Sequence, residues 1–246
     1  MDNRSYGVCL LCGGKGARLY SLTNGVLPKS LVQVGNKELI RFSLEGLDPL
    51  TVSRVVFAVD YQSEKIKQWV GQQNLAYPIS FSEQVYPGVL SAIQSSLELI
   101  AGKTVIVCNT DEIRLQLQLQ KALDFHEASH GIATMVVTKV ARLNRHRVVE
   151  VDSDSLVRST TLKDASYKTH PEMSGLVNTG VLIFEPDAFT YCDPTYSTGW
   201  SGIIDPLVAA KQLRAYVDTD IVYFNVGTEA EYHETLRYLE QHPRNS

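Results

Sequence analysis

The sequence predicts an α/β fold: one mostly parallel sheet with helices on both faces and a small antiparallel insertion. Three observations carry this. Short apolar runs recur along the chain, several of them closed by glycine or polar turn residues. Stretches with apolar residues at helical spacing alternate with those runs. Around residues 140–165 strand signal outweighs helix signal, which is where an antiparallel insertion fits.

In chain order, residues 8–12 (VCLLC) are an apolar run ending in glycine, the pattern of a fully buried strand. Residues 55–59 (VVFAV), 79–81, 105–108 (VIVC), 133–137, 148–151, 181–184 and 221–224 read as further strands. Helical spacing covers 39–47, 63–70, 90–100, 117–126, 203–212 and the amphipathic stretch 230–240. No internal repeat, low-complexity tract or Pro/Gly-rich linker divides the chain, so one domain over 1–246 is expected.

With 246 residues, 44% of them hydrophobic and 20% charged, the chain has the composition of a soluble globular protein with a sizeable core. A net charge of −4 without a basic run gives nucleic-acid binding no electrostatic support. No apolar stretch approaches the roughly 20 residues of a membrane helix. The apolar run near the start is too short for a signal peptide and ends in glycines. Cys9 and Cys12 make a C-x-x-C spacing, but no second Cys pair or Cys/His cluster completes a metal site. Buried strand cysteines are the expected reading, in a reducing, cytoplasmic setting. The six histidines do not group, and His126, His130 and His146 are expected at the surface, satisfied or solvated.

The first strand runs into Gly13-Gly14-Lys15-Gly16-Ala17-Arg18-Leu19. Glycines let the backbone turn tightly and bring its N–H groups close to a ligand. Such N–H groups leading into a helix start make an anion site, and Lys15 and Arg18 add positive charge to it. The loop is not a P-loop, which needs G-x-x-x-x-G-K-[ST]. Nor is it the dinucleotide fingerprint, because Leu19 stands at the third glycine and Asp60 lies too far downstream. Asp111 follows VIVCNT at a strand end, where a hard carboxylate suits Mg²⁺.

The longer string over residues 11–40, LCGGKGARLYSLTNGVLPKSLVQVGNKELI, resembles the signature of the sugar-phosphate nucleotidyltransferase family. Gly13, Gly14, Gly16, Arg18, Leu19, Leu22, Thr23, Pro28, Lys29, Leu31, Val34, Lys37, Leu39 and Ile40 match it in order. Residues 83–93 (EQVYPGVLSAI) are similar to the loop that closes on the nucleotide base in that family. Cys108-Asn109-Thr110-Asp111 is similar to the strand end with the metal-binding aspartate. Residues 175–184 resemble its N-x-G-x-x-x-F strand, and 225–232 its late D-x-G-T-x-x-x-Y motif.

The resemblance implies a Rossmann-like sheet of the nucleotide-diphospho-sugar transferase type, with a nucleotide part over about 1–115 and an acceptor part over about 116–246. It implies an NTP and a phosphorylated sugar or sugar-like molecule as partners, with no nucleic acid or membrane. An acceptor phosphate oxygen attacks the α-phosphorus, and pyrophosphate leaves. Arg18 would hold the β- and γ-phosphates, and Lys29 the α-phosphate. Leu11, Gly13, Gly14, Lys15, Gly16, Glu83, Gln84 and Gly88 would bind the nucleotide. Asp111, Arg147, Lys163, Asn178 and Gly180 would meet the acceptor, while Asp111 and Asn225 would hold Mg²⁺. Similar short relatives act on hexose or heptose 1-phosphates, GTP is the favoured nucleotide, and homodimers are a default among such enzymes.

The sequence also departs from that pattern. Asn225 stands where the family has its second metal-binding aspartate, and Leu162 where it has a glutamate. Arg147 replaces a glycine, while Val89 and Ala17 replace threonines. Two expectations follow: an enzyme with an unusual acceptor, or a nucleotide- or sugar-phosphate-binding regulator without catalysis.

Overall fold

The computed structural model describes residues 5–84, 86–143, 146–161, 174–193 and 198–243. Strand β1 (Tyr6–Leu11) opens the chain and ends at the glycine loop. A 3₁₀ turn (Ala17–Leu19), the short helix α1 (Tyr20–Thr23) and a second 3₁₀ turn (Lys29–Leu31) follow. Next come the small hairpin β2 (Gln33–Val34) and β3 (Lys37–Glu38), then α2 (Leu39–Phe42), β4 (Val52–Val59) and α3 (Ser63–Gly71). The order continues with β5 (Ile79–Glu83), α4 (Val89–Ile100), β6 (Val105–Asn109), β7 (Glu112–Leu115) and α5 (Leu119–Ala128). Strands β8 (Ala133–Val140), β9 (Val148–Val151), β10 (Val157–Thr161) and β11 (Gly175–Phe184) come next. Helix α6 (Ser201–Ala209), β12 (Leu213–Val217), β13 (Val222–Asn225) and α7 (Glu229–Gln241) complete the described chain.

The main sheet has the order β10-β9-β11-β6-β1-β4-β5, with β8 paired to β11 and β12 paired to β8. Strands β6, β1, β4 and β5 are mutually parallel, and β11 joins β6 antiparallel. The expected insertion is the antiparallel pair β9–β10. Central strands are apolar on both sides because helices cover both faces. Val8, Leu10, Val55, Phe57 and Ile106 pack on one face against Ile66, Trp69 and Leu123 of α3 and α5. Cys9, Val56, Ala58, Val105 and Val107 face the other way, onto Leu90 and Ile93 of α4 and Ile203 and Leu207 of α6. A third cluster of Leu19, Val32, Leu39, Phe42, Ile113, Leu115 and Val226 ties the glycine loop to β7 and β13.

Two expectations need correction, and two strands have no counterpart in the sequence reading. The helix expected over 39–47 stops at Phe42, and Gly46, at φ 82, turns the chain back toward β4. Strands β7 and β12 carry no apolar run long enough to read, and β7 (EIRL) buries two charged residues. His126 is buried rather than superficial: Thr134 Oγ1 lies 2.8 Å from its Nδ1 and Glu185 Oε1 3.1 Å from its Nε2. It remains a satisfied histidine, as expected, but a core one. Cys9 and Cys12 are buried and unpaired, and burial pushes the Cys9 thiol up to about 12.

Candidate active site

Strand β1 lies between β4, which follows it in the chain on one side, and β6 on the other. A crevice outside the carboxyl ends of the strands is expected where the order reverses in this way. A cleft of about 310 Å³ opens there, at the ends of β1, β4 and β6. Larger hollows lie elsewhere. One of about 550 Å³ sits at the amino ends of β1 and β6 beside His126, and it contains none of the glycine loop. Another of about 530 Å³ runs along β13 and reaches Asn225, Tyr223 and His146.

Of the residues expected to bind nucleotide, Leu11, Gly13, Gly14, Gln84 and Gly88 line the 310 Å³ cleft, together with Lys29 and Asp111. Lys29 and Asp111 form an ion pair across it, with Lys29 nearly buried and Asp111 about one-third exposed. Gly16, at φ 62, packs on Lys29: a Cβ there would lie 2.9 Å from the lysine Cβ. Glycine here leaves room for the lysine stem as well as turning the loop. Gly88, at φ 135, starts α4 under the backbone of Thr198, whose carbonyl accepts from Val89 N–H at 2.9 Å. Gln84 donates to Asp60 at 2.8 Å at the rim.

Lys15 and Arg18 are exposed and lie outside the lining of the cleft. Glu83 turns away, its exposed carboxylate 3.2 Å from Lys67. Ser30 and Thr110 also line the cleft, and sequence reasoning missed both. Thr110 donates to the Leu11 carbonyl at 2.7 Å, joining the ends of β6 and β1. Ser30 is 2% exposed, and its hydroxyl has no hydrogen-bond partner among the described residues.

The acceptor side is built on a bulge. Strand β11 shifts register against β8 between Asn178 and Leu182, with Gly180 at φ 70. Asn178 Oδ1 accepts from Gly180 N–H at 2.8 Å, so the carboxamide holds the bulge. A Cβ on Gly180 would lie 1.6 Å from Glu112 Oε2, so glycine here makes room for a buried carboxylate. The Arg114 guanidinium donates to that carboxylate at 3.3 Å and to the carbonyls of Asn109 at 2.8 Å and Thr179 at 2.5 Å. It thereby ties the end of β6, next to Asp111, to the bulge. Burial pushes the Glu112 carboxyl up, to about 7, against the downward pull of Arg114. Tyr223 is raised well above the usual phenol value, first by burial and then by the charge of Glu112.

Asn225 faces Glu112 across β13–β7, its Nδ2 3.4 Å from Glu112 Oε1. The next residue's N–H donates to the Asp111 carbonyl at 2.8 Å, which brings position 225 beside Asp111. The strand end is anchored by the start of α7: the N-cap Thr228 Oγ1 accepts from Glu231 N–H, and Glu231 Oε2 reaches back to accept from Gly227 N–H at 2.9 Å. Arg147 donates to the Thr160 carbonyl at 3.0 Å, and its buried Nε has no partner among the described residues. Lys163 lies outside the described residues. Among the described residues no group of three or more His, Cys, Asp and Glu could hold a metal ion, and no helix is long and apolar enough to cross a membrane.

Comparisons with known proteins bear on the family and the fold. The nucleotidyl transferase family profile matches residues 8–242. A mannose-1-phosphate guanyltransferase of Schizosaccharomyces pombe is 28% identical over 232 residues, covering 91% of this chain and 61% of that protein. A probable mannose-1-phosphate guanylyltransferase of Oryza sativa is 30% identical over 185 residues, covering 72% of this chain and 49% of that protein. This chain therefore spans half to three-fifths of the length of these curated relatives. HddC from Yersinia pseudotuberculosis, in complex with GMP-PN, superposes with a TM-score of 0.74 at 24% identity, over 95% of this chain and 99% of that one. UDP-glucose pyrophosphorylase from Acinetobacter baumanii gives 0.78 at 14% identity, over 98% of this chain and 95% of that one. These two establish the fold alone, the nucleotide-diphospho-sugar transferase type. With the profile covering nearly all of its length, the chain belongs to the nucleotidyl transferase family.

Proposed function

We propose that this protein transfers a nucleoside monophosphate from an NTP to a sugar 1-phosphate or a sugar-like phosphate, forming an NDP-sugar and pyrophosphate. The observation that carries the reading is the Lys29–Asp111 pair across the cleft at the carboxyl ends of β1 and β6, beside the glycine loop. GTP with a mannose or heptose phosphate is the first pair to try. Relatives named as mannose-1-phosphate guanylyltransferases, and the GMP-PN complex of HddC, support that choice.

In this reading the backbone of Gly13 and Gly14 cradles the phosphates. Arg18, exposed on the 3₁₀ turn that follows the glycine loop, swings onto the β- and γ-phosphates, and its planar fork suits their oxygens. Lys29 leaves Asp111 for the α-phosphate and offsets charge as the acceptor oxygen bonds to phosphorus and the bond to the pyrophosphate oxygen breaks. The unpartnered Ser30 hydroxyl donates to a nucleotide oxygen. Gln84 and Gly88 border the base. Arg147, Asn178 and Lys163 take the acceptor.

Mg²⁺ fits the donor set: Mg²⁺ is commonly held by one or two carboxylates together with substrate phosphates and waters. Asp111 and the amide oxygen of Asn225 would hold it, and it would neutralise phosphate charge. The whole chain acts as one domain, with nucleotide and acceptor parts meeting at β6–β11, in the cytoplasm where NTPs are made. A second reading, a nucleotide-binding regulator without turnover, is favoured by the neutral Asn225 beside Asp111.

The deciding experiment is pyrophosphate release with Mg²⁺, over several NTPs crossed with phosphorylated sugars and polyols. Release that depends on one NTP–acceptor pair and vanishes in Lys29→Ala and Asp111→Ala is the expected result. Tight nucleotide binding without release from any pair would favour the regulator.

A further inference from the structure

The proposed transfer chemistry has no task for Glu112, although it is a carboxylate buried beside Asp111. Its environment is built for it. Gly180 clears the space, and Oε2 lies 3.3 Å from the Arg114 guanidinium. Arginine only donates, so Oε2 accepts from the guanidinium, whose positive charge favours the carboxylate form against the effect of burial. The other oxygen, Oε1, faces Asn225 at 3.4 Å, its direct cross-strand partner.

An amide beside a cation has one good orientation. The carbonyl oxygen must face the ion and the NH₂ must face away. A carboxylate behind the amide selects that orientation, because it attracts the NH₂ and repels the carbonyl oxygen. The amide is planar, so Nδ2 turned toward Glu112 leaves Oδ1 on the opposite arm. We propose that Asn225 and Glu112 act as one unit toward the divalent cation: Asn225 supplies the ligand oxygen, and Glu112 fixes its orientation and supplies the charge the amide lacks. Glu112 is thus a positioning residue. The inference rests on the reading of the cleft as a cation-assisted nucleotidyl transfer site.

Mn²⁺ binding to the full chain, followed by electron paramagnetic resonance in a buffer well above neutrality, tests it without requiring turnover. Glu112→Gln keeps the shape, removes the charge, and lets the amide at 225 turn over. Mn²⁺ affinity should fall about 10–100-fold, the usual cost of losing a partner behind a metal ligand. Asn225→Ala leaves the Glu112–Arg114 pair intact and should lower affinity similarly. The double variant Glu112→Gln, Asn225→Asp returns the charge directly to the ligand and should recover most of the loss. Unchanged Mn²⁺ affinity in Glu112→Gln or in Asn225→Ala would overturn the proposal. So would wild-type protein that binds no Mn²⁺, or binding that survives Asp111→Ala. Turnover without this affinity pattern sinks the inference alone, whereas the pattern without turnover for any acceptor sinks the transfer reading alone.

Discussion

A buried hydroxyl with nothing to bond costs stability, and Ser30, on the wall of the cleft, has no partner among the described residues. Two opposite effects of Ser30→Ala follow. The free protein should be no less stable and should gain up to about 1 kcal/mol, since an unsatisfied donor is removed. Nucleotide affinity should fall roughly tenfold, the value of one hydrogen bond to a charged oxygen. Denaturant midpoints and calorimetric titration with GTP check the two halves, and a loss of stability with unchanged affinity would refute both. Gly180 is the opposite case, a position where an added atom has no room. In Gly180→Ala the new Cβ meets Glu112 Oε2 at a site with φ 70. The expected cost is at least about 1–3 kcal/mol, measured by chemical denaturation. These two residues also mark where reading from sequence stops. Gly180 is visible as part of a motif, but its reason, a glutamate on another strand, is a three-dimensional fact. Ser30 sits inside the matched P-K-x-L string at its unspecified position, so no pattern could single it out.

Elements carry the next level of the argument, through the pairs that staple their ends. Arg114 on β7 reaches the ends of β6 and the bulge of β11, and its side chain is 3% exposed. Arg114→Met removes the cation that pulls the Glu112 carboxyl down, so Glu112 must either stay buried without its counter-charge or take up a proton, and up to about 3–5 kcal/mol of stability should be lost. Thermal unfolding followed from neutral to alkaline pH is the measurement, and the loss should grow as pH rises. At the other end of the sheet, Glu185 after β11 meets His126 of α5. The hydrogen bond from His126, followed by that from Thr104, holds the Glu185 carboxyl below its usual 4.5 against the effect of burial. The folded value lies below the unfolded one, so ionised Glu185 favours folding. That contribution is complete above about pH 4.5 and disappears as pH falls through the folded value. In Glu185→Gln the acid limb of the melting curve should therefore be shallower than in wild type, with stabilities converging at low pH. The central strands were legible because buried parallel strands are apolar on both sides, and α3 and α4 because their apolar stripes repeat. Strand β7 was not, since its two buried charges are satisfied by each other and by partners on β6, β11 and β13, which no local pattern shows.

At the scale of the whole molecule, the main sheet brings together a loop after β1, a carboxylate after β6 and a bulge in β11, and the separate β7–β13 pair adds an amide on β13. The motifs that resemble the family signature single out all four positions, and each stands at a strand end, a loop or a bulge. They did not place Glu83, which pairs with Lys67 away from the cleft, or set Arg18 apart from the lining. Short motifs fix which residues neighbour a strand end, but not which way an exposed side chain turns. The cleft spans the ends of three strands, so a ligand filling it is contacted by several elements at once and should stabilise the fold as a unit. Binding to the native state alone adds about 2.7 kcal/mol when free ligand is at a hundred times its dissociation constant. For a domain of this size each kcal/mol raises Tm by roughly 2–4 °C, so saturating nucleotide should raise it by roughly 5–10 °C. With Mg²⁺ present the rise should be largest for GTP among the common NTPs and should shrink sharply in Lys29→Ala, whose side chain forms part of the cleft wall. Sugar 1-phosphates alone should produce little rise if acceptor binding needs the nucleotide already in place. A melting series over NTPs, acceptors and this variant measures all three effects. Equal shifts in wild type and Lys29→Ala would mean that nucleotide binds somewhere other than the cleft at the end of β1.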